Sequence, residues 1–345
     1  MSQYALLISP SANRVYADAS VRLTRAELAV VDRTVLGGRL SGVTETVLGG
    51  VRYVTFTADG GLGEREVEYL ANLSSIYVLF EVVQGLLRPV ELRPLARYDD
   101  DLLTIPKYPG KTNEQFTKLL LNITLLSSRF APEMLDRQLR VLDPLCGRGT
   151  TLNQALMYGY DAAGVEHDRT DFEAYSTYVQ TWLKRKRLKH RVESGPVRRD
   201  RQVVARRLQV NLAADKESYR AGRTQRLDVV QVDTLRSGEF FRSGSQDLLV
   251  ADAPYGVQHG SRSAGRGLAR SPLALLTEAV PVWVELLRPG GALGIAWNTN
   301  VARREEAAAV LADAGLEVLA DGPYLEFGHR VDQAIVRDIL IARKP

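Results

Sequence analysis

From about residue 141 onward, short apolar runs alternate with longer stretches in which apolar residues recur at helical spacing. The apolar runs predict strands near residues 141–144, 162–166, 228–232, 247–251 and 292–297, with a final pair near 316–319 and 333–342. The longer stretches predict helices at 150–158, 170–189, 272–287 and 302–314. Alternating strands and helices are typical of a mostly parallel sheet with helices on both faces, which is an α/β fold.

The region before residue 96 predicts a smaller α/β unit. Strands are expected at 4–9, 51–56 and 75–83, and helices at 24–31 and 64–73. Thr24 and Glu27 have the spacing of a capping box at a helix start. A proline-containing connector, 97–112, precedes a helix expected at 113–127. The chain is therefore predicted to comprise a small region, 1–95, and a larger domain, 96–345.

Composition narrows the class of protein. The 345 residues are 45% hydrophobic, enough for one large domain or two ordinary ones. Cys146 is the only cysteine, which excludes a disulfide framework and a cysteine-based zinc site, and no metal is expected. No signal peptide and no membrane-spanning run of about 18 apolar residues is expected, so the predicted location is the cytoplasm, without membrane contact.

Positive charge is concentrated in one segment. The chain carries a net charge of +4, yet residues 184–207 contain eleven lysines and arginines against two acids, within a basic insertion at 184–225. The segment is expected to extend a helix and to break at Ser194-Gly-Pro196. Such a patch can bind phosphates without sequence preference, although a solvated helix face is an alternative. Its first cations are predicted to bind substrate: Lys184, Arg185, Lys186 and Arg187.

The segment Val141 to Leu152 has the pattern of a strand, a glycine turn and a helix start. Gly147 and Gly149 allow the backbone to approach a ligand closely, and the following helix offers free N–H groups. Asp143, Glu166 and Asp233 each follow one of three successive strands, where doubly wound folds bind nucleosides. An NAD site is the alternative, but the turn has neither the G-x-G-x-x-G spacing nor a P-loop.

A second segment, Asp247 to Gly256, predicts a buried strand that ends in Asp-Ala-Pro-Tyr. An exocyclic base nitrogen is a poor nucleophile, because its lone pair is delocalised into the ring. Asp252 and a carbonyl aimed by Pro254 can accept the amino protons, and Tyr255 can stack on the base. With the first segment, this predicts methyl transfer from S-adenosylmethionine (SAM) to an amino group. A purely structural turn is the alternative.

The next stretch, 256–270, contains four glycines and three arginines. It predicts a basic loop beside the pocket, in which Arg262 and Arg266 bind a phosphate-bearing substrate. A loop without such a role is equally compatible with the composition. His259 could accept a proton, although a solvated loop histidine explains it as well.

Four motifs resemble class I, Rossmann-like SAM-dependent methyltransferases, and among these the tRNA guanosine-N2 methyltransferases with a THUMP-related N-terminal region. They are Lys107-Tyr-Pro-Gly-Lys-Thr-Asn113, Asp143-Pro-Leu-Cys-Gly-Arg-Gly-Thr150, Asp252-Ala-Pro-Tyr-Gly256 and Glu285-Leu-Leu-Arg-Pro-Gly-Gly291. The resemblance implies a seven-stranded, mostly parallel sheet whose last strand is antiparallel, and Asp252 and Tyr255 at the target amine. Residues of the first three strand ends and their flanking segments are expected to bind SAM: Thr112, Asp143, Cys146, Gly147, Gly149, Thr150, Glu166 and Asp233.

The resemblance makes tRNA the expected partner and guanosine N2 the expected target. Ala253 departs from the family pattern, which has proline there. DNA adenine-N6 and cytosine-N4 methyltransferases have similar motifs, so these reactions and methylation of a small-molecule amine remain alternatives. A non-catalytic RNA-binding protein with a degenerate site is a third.

Overall fold

The computed structural model describes residues 1–11, 14–105, 111–253 and 272–345. Its helices are α1 (Arg14–Val31), α2 (Glu64–Leu70), α3 (Glu114–Ser127), α4 (Thr150–Met157), α5 (Arg169–Arg185), α6 (Lys216–Arg220), α7 (Pro272–Leu286) and α8 (Arg304–Asp313). Within these ranges, no helix is long and apolar enough to cross a membrane.

Among the described residues of the first part of the chain, five strands form an antiparallel sheet in the order β2-β3-β1-β4-β5. The strands are β1 (Ser2–Ile8), β2 (Leu40–Leu48), β3 (Val51–Ala58), β4 (Ile76–Val83) and β5 (Leu86–Val90). β2 and β5 are the edge strands and are largely exposed, so they lack the apolar run that would have predicted them.

The predicted capping box at Thr24 and Glu27 is wrong. Helix α1 begins at Arg14, so both residues lie in its middle, and both side chains are buried. The Glu27 carboxylate accepts hydrogen bonds from the backbone and hydroxyl of Ser74 and from the amide of Asn122. The acidic residue therefore connects α1 to a loop and to α3, and the spacing alone could not distinguish that role from a cap.

In the described part of the chain, the second sheet has ten strands. They are β6 (Arg140–Asp143), β7 (Asp161–Glu166), β8 (Lys189–Arg199), β9 (Gln202–Ala213), β10 (Gln225–Gln231), β11 (Gln246–Asp252), β12 (Leu287–Asn298), β13 (Glu317–Leu319), β14 (His329–Arg330) and β15 (Val336–Arg343). The order is β13-β15-β12-β11-β6-β7-β10-β9-β8, and β14 pairs with β15. The central strands from β12 to β10 are parallel, and the last strand, β15, is antiparallel to β12.

The basic insertion accounts for most of the difference from seven strands. The segment expected to extend a helix instead leaves α5 after Arg185 and forms the hairpin β8–β9, which adds two antiparallel strands beside β10. Pro196 lies within β8, an edge strand, where a missing N–H is tolerated. Asp200 and Arg201 form the turn with positive φ angles of 49° and 65°.

Helices cover both faces of the large sheet. Apolar residues of α3, α4 and α5 pack on one face in a core that also includes β1, β3 and α1 of the small sheet. Residues of α7 and α8 pack on the other face around Trp283. The two sheets therefore share one continuous core, although the sequence predicts a boundary near residue 95.

Candidate active site

The carboxyl ends of β6, β7, β10 and β11 meet at one edge of the large sheet and enclose a cavity of about 360 Å³. Three acids predicted from the sequence line this cavity, namely Glu166, Asp233 and Asp252. Its remaining lining residues are Pro144, Leu145, Val165, His167, Thr234 and Leu275. The cavity thus combines an apolar wall with several carboxylates, as small-ligand pockets commonly do.

Asp143 is the last residue of β6 and comes directly before the glycine turn. The carboxylate is buried and accepts a hydrogen bond of 3.0 Å from the backbone N–H of Leu145. Gly149 has a φ of +81°, and a Cβ there would lie 2.2 Å from the ring of Tyr175. Glycine at 149 is therefore required both by the backbone conformation and by the close packing of α4 against α5.

Cys146 and Thr150 belong to the same turn. The N–H of Cys146 donates to the carbonyl of Val165 at 2.9 Å, and the side chain is buried against Gly164. Burial raises the pKa of the Cys146 thiol well above its ordinary value. The thiol is therefore protonated and packs inside the turn. Thr150 is the first residue of α4 and is almost completely buried.

Two carboxyl groups of the site have strongly perturbed acidity. Burial raises the pKa of Asp143 to about 7, and the charges of Asp252 and Glu166 add to this. Burial likewise raises the pKa of Glu166 to about 7, although its carboxylate accepts a hydrogen bond of 2.6 Å from the N–H of Asp168. Clustered acids in a cleft favour a cationic ligand, since a positive charge relieves their repulsion.

Asp252 is the last residue of β11 and accepts a hydrogen bond from the hydroxyl of Thr112. Thr112 precedes α3, so the structure brings two predicted residues together from positions 140 apart in the sequence. Ala253 is buried, and its N–H donates to the carbonyl of Ala296 at 2.8 Å. A proline at 253 could not make this bond, which continues the pairing of β11 with β12 by one residue.

Asp233 ends the strand region of β10 and caps the short 3₁₀-helix Thr234–Glu239, with its carboxylate accepting from the N–H of Leu235 at 2.9 Å. The remaining predicted residues of this edge lie outside the described residues. They are Pro254, Tyr255, His259, Arg262 and Arg266, together with the segment 107–110.

The four cations predicted at the end of α5 lie away from the cavity. Because α5 runs back from the end of β7, residues 184–187 reach the amino ends of the strands. Arg185 pairs with Asp101 at 2.7 Å, and Lys186 pairs with Asp99 at 2.7 Å. These two ion pairs therefore connect the end of α5 to the segment 97–112. In the described part of the chain, Lys184 and Arg187 have no carboxylate partner.

The hairpin β8–β9 brings other basic residues to the edge of the sheet that holds the cavity, and the sequence did not indicate this. Arg206 of β9 pairs with Gln231, the last residue of β10, so residues 202–205 extend beyond that strand by about 13 Å. At the tip, Arg198 and Arg201 have no carboxylate partner among the described residues.

Thr151 is a further residue of this region that was not predicted. Its side chain hydrogen-bonds to the Asp143 carboxylate. The sequence has two adjacent threonines here, and it does not show which of them makes this contact.

No cluster of three or more histidine, cysteine or acidic side chains with metal-binding geometry occurs among the described residues.

The part of the chain that lines the cavity is similar to a known protein domain. Residues 132–287 match the model of the RMKL-like methyltransferase domain of UPF0020. This segment includes the glycine turn and all three acids of the cavity. The chain therefore contains a class I SAM-dependent methyltransferase domain, and its cofactor is SAM.

Solved structures show only distant similarity. TrmN from Thermus thermophilus is 14% identical, with a TM-score of 0.39, and 100% of each chain is covered. Precorrin-6y C5,15-methyltransferase from Geobacter metallireducens is 12% identical, with a TM-score of 0.39, over 73% of this chain and 99% of the other. A TehB-like methyltransferase from Corynebacterium glutamicum is 14% identical, with a TM-score of 0.33, over 64% and 87%. No curated protein matches the chain.

The cavity residues fit SAM, which carries an ammonium, a sulfonium and a nucleoside. Glu166 and Asp233 line the cavity, and Asp143 is buried at the end of β6. Their roles toward the ribose hydroxyls, the adenine amino group and the ammonium of SAM stay predictions from the sequence. The apolar wall provided by Leu145 and Val165 suits the adenine ring.

Proposed function

We propose that the protein transfers a methyl group from SAM to an exocyclic amino group of a nucleobase, and that guanosine N2 in tRNA is the first candidate. The observation that carries this proposal is the position of Asp252. Its carboxylate is at the end of β11, lines the same cavity as Glu166 and Asp233, and is oriented by the hydroxyl of Thr112.

When bound, SAM supplies an electrophilic methyl group. The Asp252 carboxylate accepts a hydrogen bond from the amino group, which favours a tetrahedral nitrogen with an available lone pair. Thr112 donates to the Asp252 carboxylate and so helps to fix its orientation at the end of β11. Pro254 and Tyr255 are assigned to aiming a carbonyl acceptor and to stacking on the base. Apolar burial of the surrounding walls strengthens each of these polar contacts.

The hairpin β8–β9 supports a polyanionic substrate. Its turn extends beyond the carboxyl end of β10, on the same edge of the sheet as the cavity, and carries Arg198 and Arg201. A nucleic acid whose base enters the cavity has its backbone outside, where these arginines can neutralise phosphates. We assign Arg262 and Arg266 the same role. The region 1–95 is proposed to be THUMP-related and to recruit RNA.

The test is methyl transfer from labelled SAM to bulk tRNA, rRNA and DNA in parallel, followed by mass spectrometry of the digested nucleosides. N2-methylguanosine from tRNA alone would support the proposal in full. N6-methyladenine or N4-methylcytosine in DNA would replace the substrate but keep the chemistry. SAM binding without transfer to any of the three would contradict nucleobase methylation and favour a small-molecule amine or a non-catalytic RNA-binding protein.

A further inference from the structure

A second cavity, of about 350 Å³, lies against the amino-terminal halves of the central strands of the large sheet, away from the SAM pocket. Between β10 and β11, a segment that the structure describes throughout, the chain forms only the short 3₁₀-helix Thr234–Glu239, so this segment contributes no full helix to the face. The strands below it expose a set of polar side chains. The lining residues are Arg140, Asp161, Ala162, Ala163, Arg207, Arg226, Asp228, Phe240, Phe241, Arg242, Ser245 and Gln246.

The cavity is positively charged, with four arginines against two aspartates. Both aspartates already have partners. Buried Asp228 accepts from Arg207 at 2.7 Å and from Arg226 at 2.7 Å. Asp161 accepts from the side chain of Gln138 at 2.6 Å and from the N–H of Arg226 at 2.8 Å. The aspartates are therefore part of the cavity wall and do not neutralise the two remaining arginines.

Arg140 and Arg242 are those two arginines. Both are exposed at the rim, and in the described ranges neither guanidinium forms a hydrogen bond or an ion pair. Each presents several N–H donors in a plane, the arrangement that suits two oxygens of one phosphate. The rings of Phe240 and Phe241 form an apolar wall, which limits competition by water for these donors.

We propose that this cavity is a phosphate-binding site, in which Arg140 and Arg242 contact the phosphate group of a nucleotide or of a nucleic-acid backbone. Asp161 and Glu166 are at opposite ends of β7, and five residue steps separate them by about 17 Å. The site is therefore distinct from the SAM pocket, and the proposal does not depend on which amine is methylated.

The structure provides a variant that tests the site without breaking the fold. The double variant Arg140→Ala/Arg242→Ala removes two guanidinium groups that have no partner among the described residues, so none of the ion pairs described for the protein is lost. Replacing Arg207 instead would leave the buried Asp228 carboxylate without its main partner. A matched control is Arg220→Ala/Arg223→Ala, which removes two exposed arginines that do not line the cavity.

The experiment is calorimetric titration of the full chain, saturated with SAM, with inorganic pyrophosphate and separately with a short unstructured RNA. The rim variant should lose affinity for pyrophosphate about tenfold or more, and the control should match the parent protein. A parallel loss of RNA affinity, with a salt slope lower by about 0.7 for each lost contact, identifies backbone phosphate as the ligand.

Loss of pyrophosphate binding with unchanged RNA binding identifies a free phosphorylated molecule as the ligand. The proposal would be overturned if the rim variant and the control had equal affinities for both probes. It would also be overturned if the parent protein did not bind pyrophosphate and the rim variant kept the parent's affinity for RNA. Methyl transfer is not measured in this experiment, so failure here leaves the proposed reaction untouched.

Discussion

At the residue scale, the acids proposed to bind SAM should determine how the affinity for the cofactor responds to pH. Burial, with a smaller contribution from neighbouring carboxylates, raises the pKa values of Asp143 and Glu166 to about 7, and the cationic groups of SAM favour the ionised forms. SAM affinity should therefore rise about two- to tenfold between about pH 6 and about pH 8, with proton release on binding. Calorimetry in two buffers of different ionisation enthalpy measures both effects.

The same groups affect stability. Their pKa values are raised in the folded state, so the stability they contribute is present when they are protonated and is lost as the pH rises through about 7. The gain in melting temperature on adding SAM should accordingly be larger at high pH. Glu166→Gln should flatten the pH dependence, whereas Glu173→Gln, at an exposed position on α5, should preserve it. A pH-independent SAM affinity in the parent protein would contradict this account.

Gly149 gives a second residue-scale prediction. Gly149→Ala adds a Cβ 2.2 Å from Tyr175 to a backbone with φ of +81°, and should lower the free energy of unfolding by roughly 2–4 kcal/mol and weaken SAM binding. Gly315→Ala is the matched control, since φ is +83° and nothing lies within 4 Å of the added atom. Equal losses in chemical denaturation of the two variants would show that close packing at 149 is unimportant.

The sequence predicted the positions of the acids in the fold better than the positions of the cations. Asp143, Glu166 and Asp233 could be identified because each follows an apolar strand, and parallel strands bring their ends to one edge. Thr112 was predicted only as a SAM-binding residue, and its hydrogen bond to Asp252, 140 residues away, was not predicted. The cations of 184–187 were assigned to substrate on charge alone, and charge does not reveal which end of a helix faces the pocket.

At the element scale, the hairpin β8–β9 distinguishes two basic surfaces of the same segment. Arg198→Ala/Arg201→Ala removes cations at the pocket edge and should weaken nucleic-acid binding, lowering its salt slope by about 0.7 to 0.9 for each lost phosphate contact. Lys184→Ala/Arg187→Ala removes as much charge at the opposite edge and should have little effect. Fluorescence anisotropy over a salt series measures both variants, and the reverse order of effects would contradict the assignment.

The hairpin also shows why some strands could not be predicted from the sequence. The strongly apolar strands β6, β7, β10 and β11 are largely buried and were predicted to within three residues, whereas β12 begins five residues earlier than predicted. β8 is an edge strand rich in arginine and lysine and contains Ser194-Gly-Pro196, a sequence that normally ends a regular element. Pairing with β9 overrides that local preference, and pairing between strands cannot be read from one segment.

At the scale of the whole molecule, the two sheets should unfold together. Asn122 on α3 donates to Glu27 at 2.7 Å and to the carbonyl of Asn72 at 2.8 Å, and it accepts from Tyr158 at 2.7 Å. Asn122→Ala leaves the buried Glu27 carboxylate with fewer donors and should lower the free energy of unfolding by roughly 2–4 kcal/mol.

Urea denaturation followed by far-UV circular dichroism checks this, with Asn211→Ala at an exposed position expected to change stability by less than about 0.5 kcal/mol. A single transition is expected because one apolar core includes residues of both sheets. Two separate transitions, with only the first shifted by Asn122→Ala, would show instead that the region 1–95 is an independent domain.

The central claim concerns Asp252, and its most direct test separates cofactor binding from turnover. In Asp252→Ala, SAM should still bind, because Asp143, Glu166 and Asp233 remain, while methyl transfer should fall by about a hundredfold or more. Asp313→Ala, which removes an exposed carboxylate from α8, should retain both. Full turnover by Asp252→Ala would contradict the account.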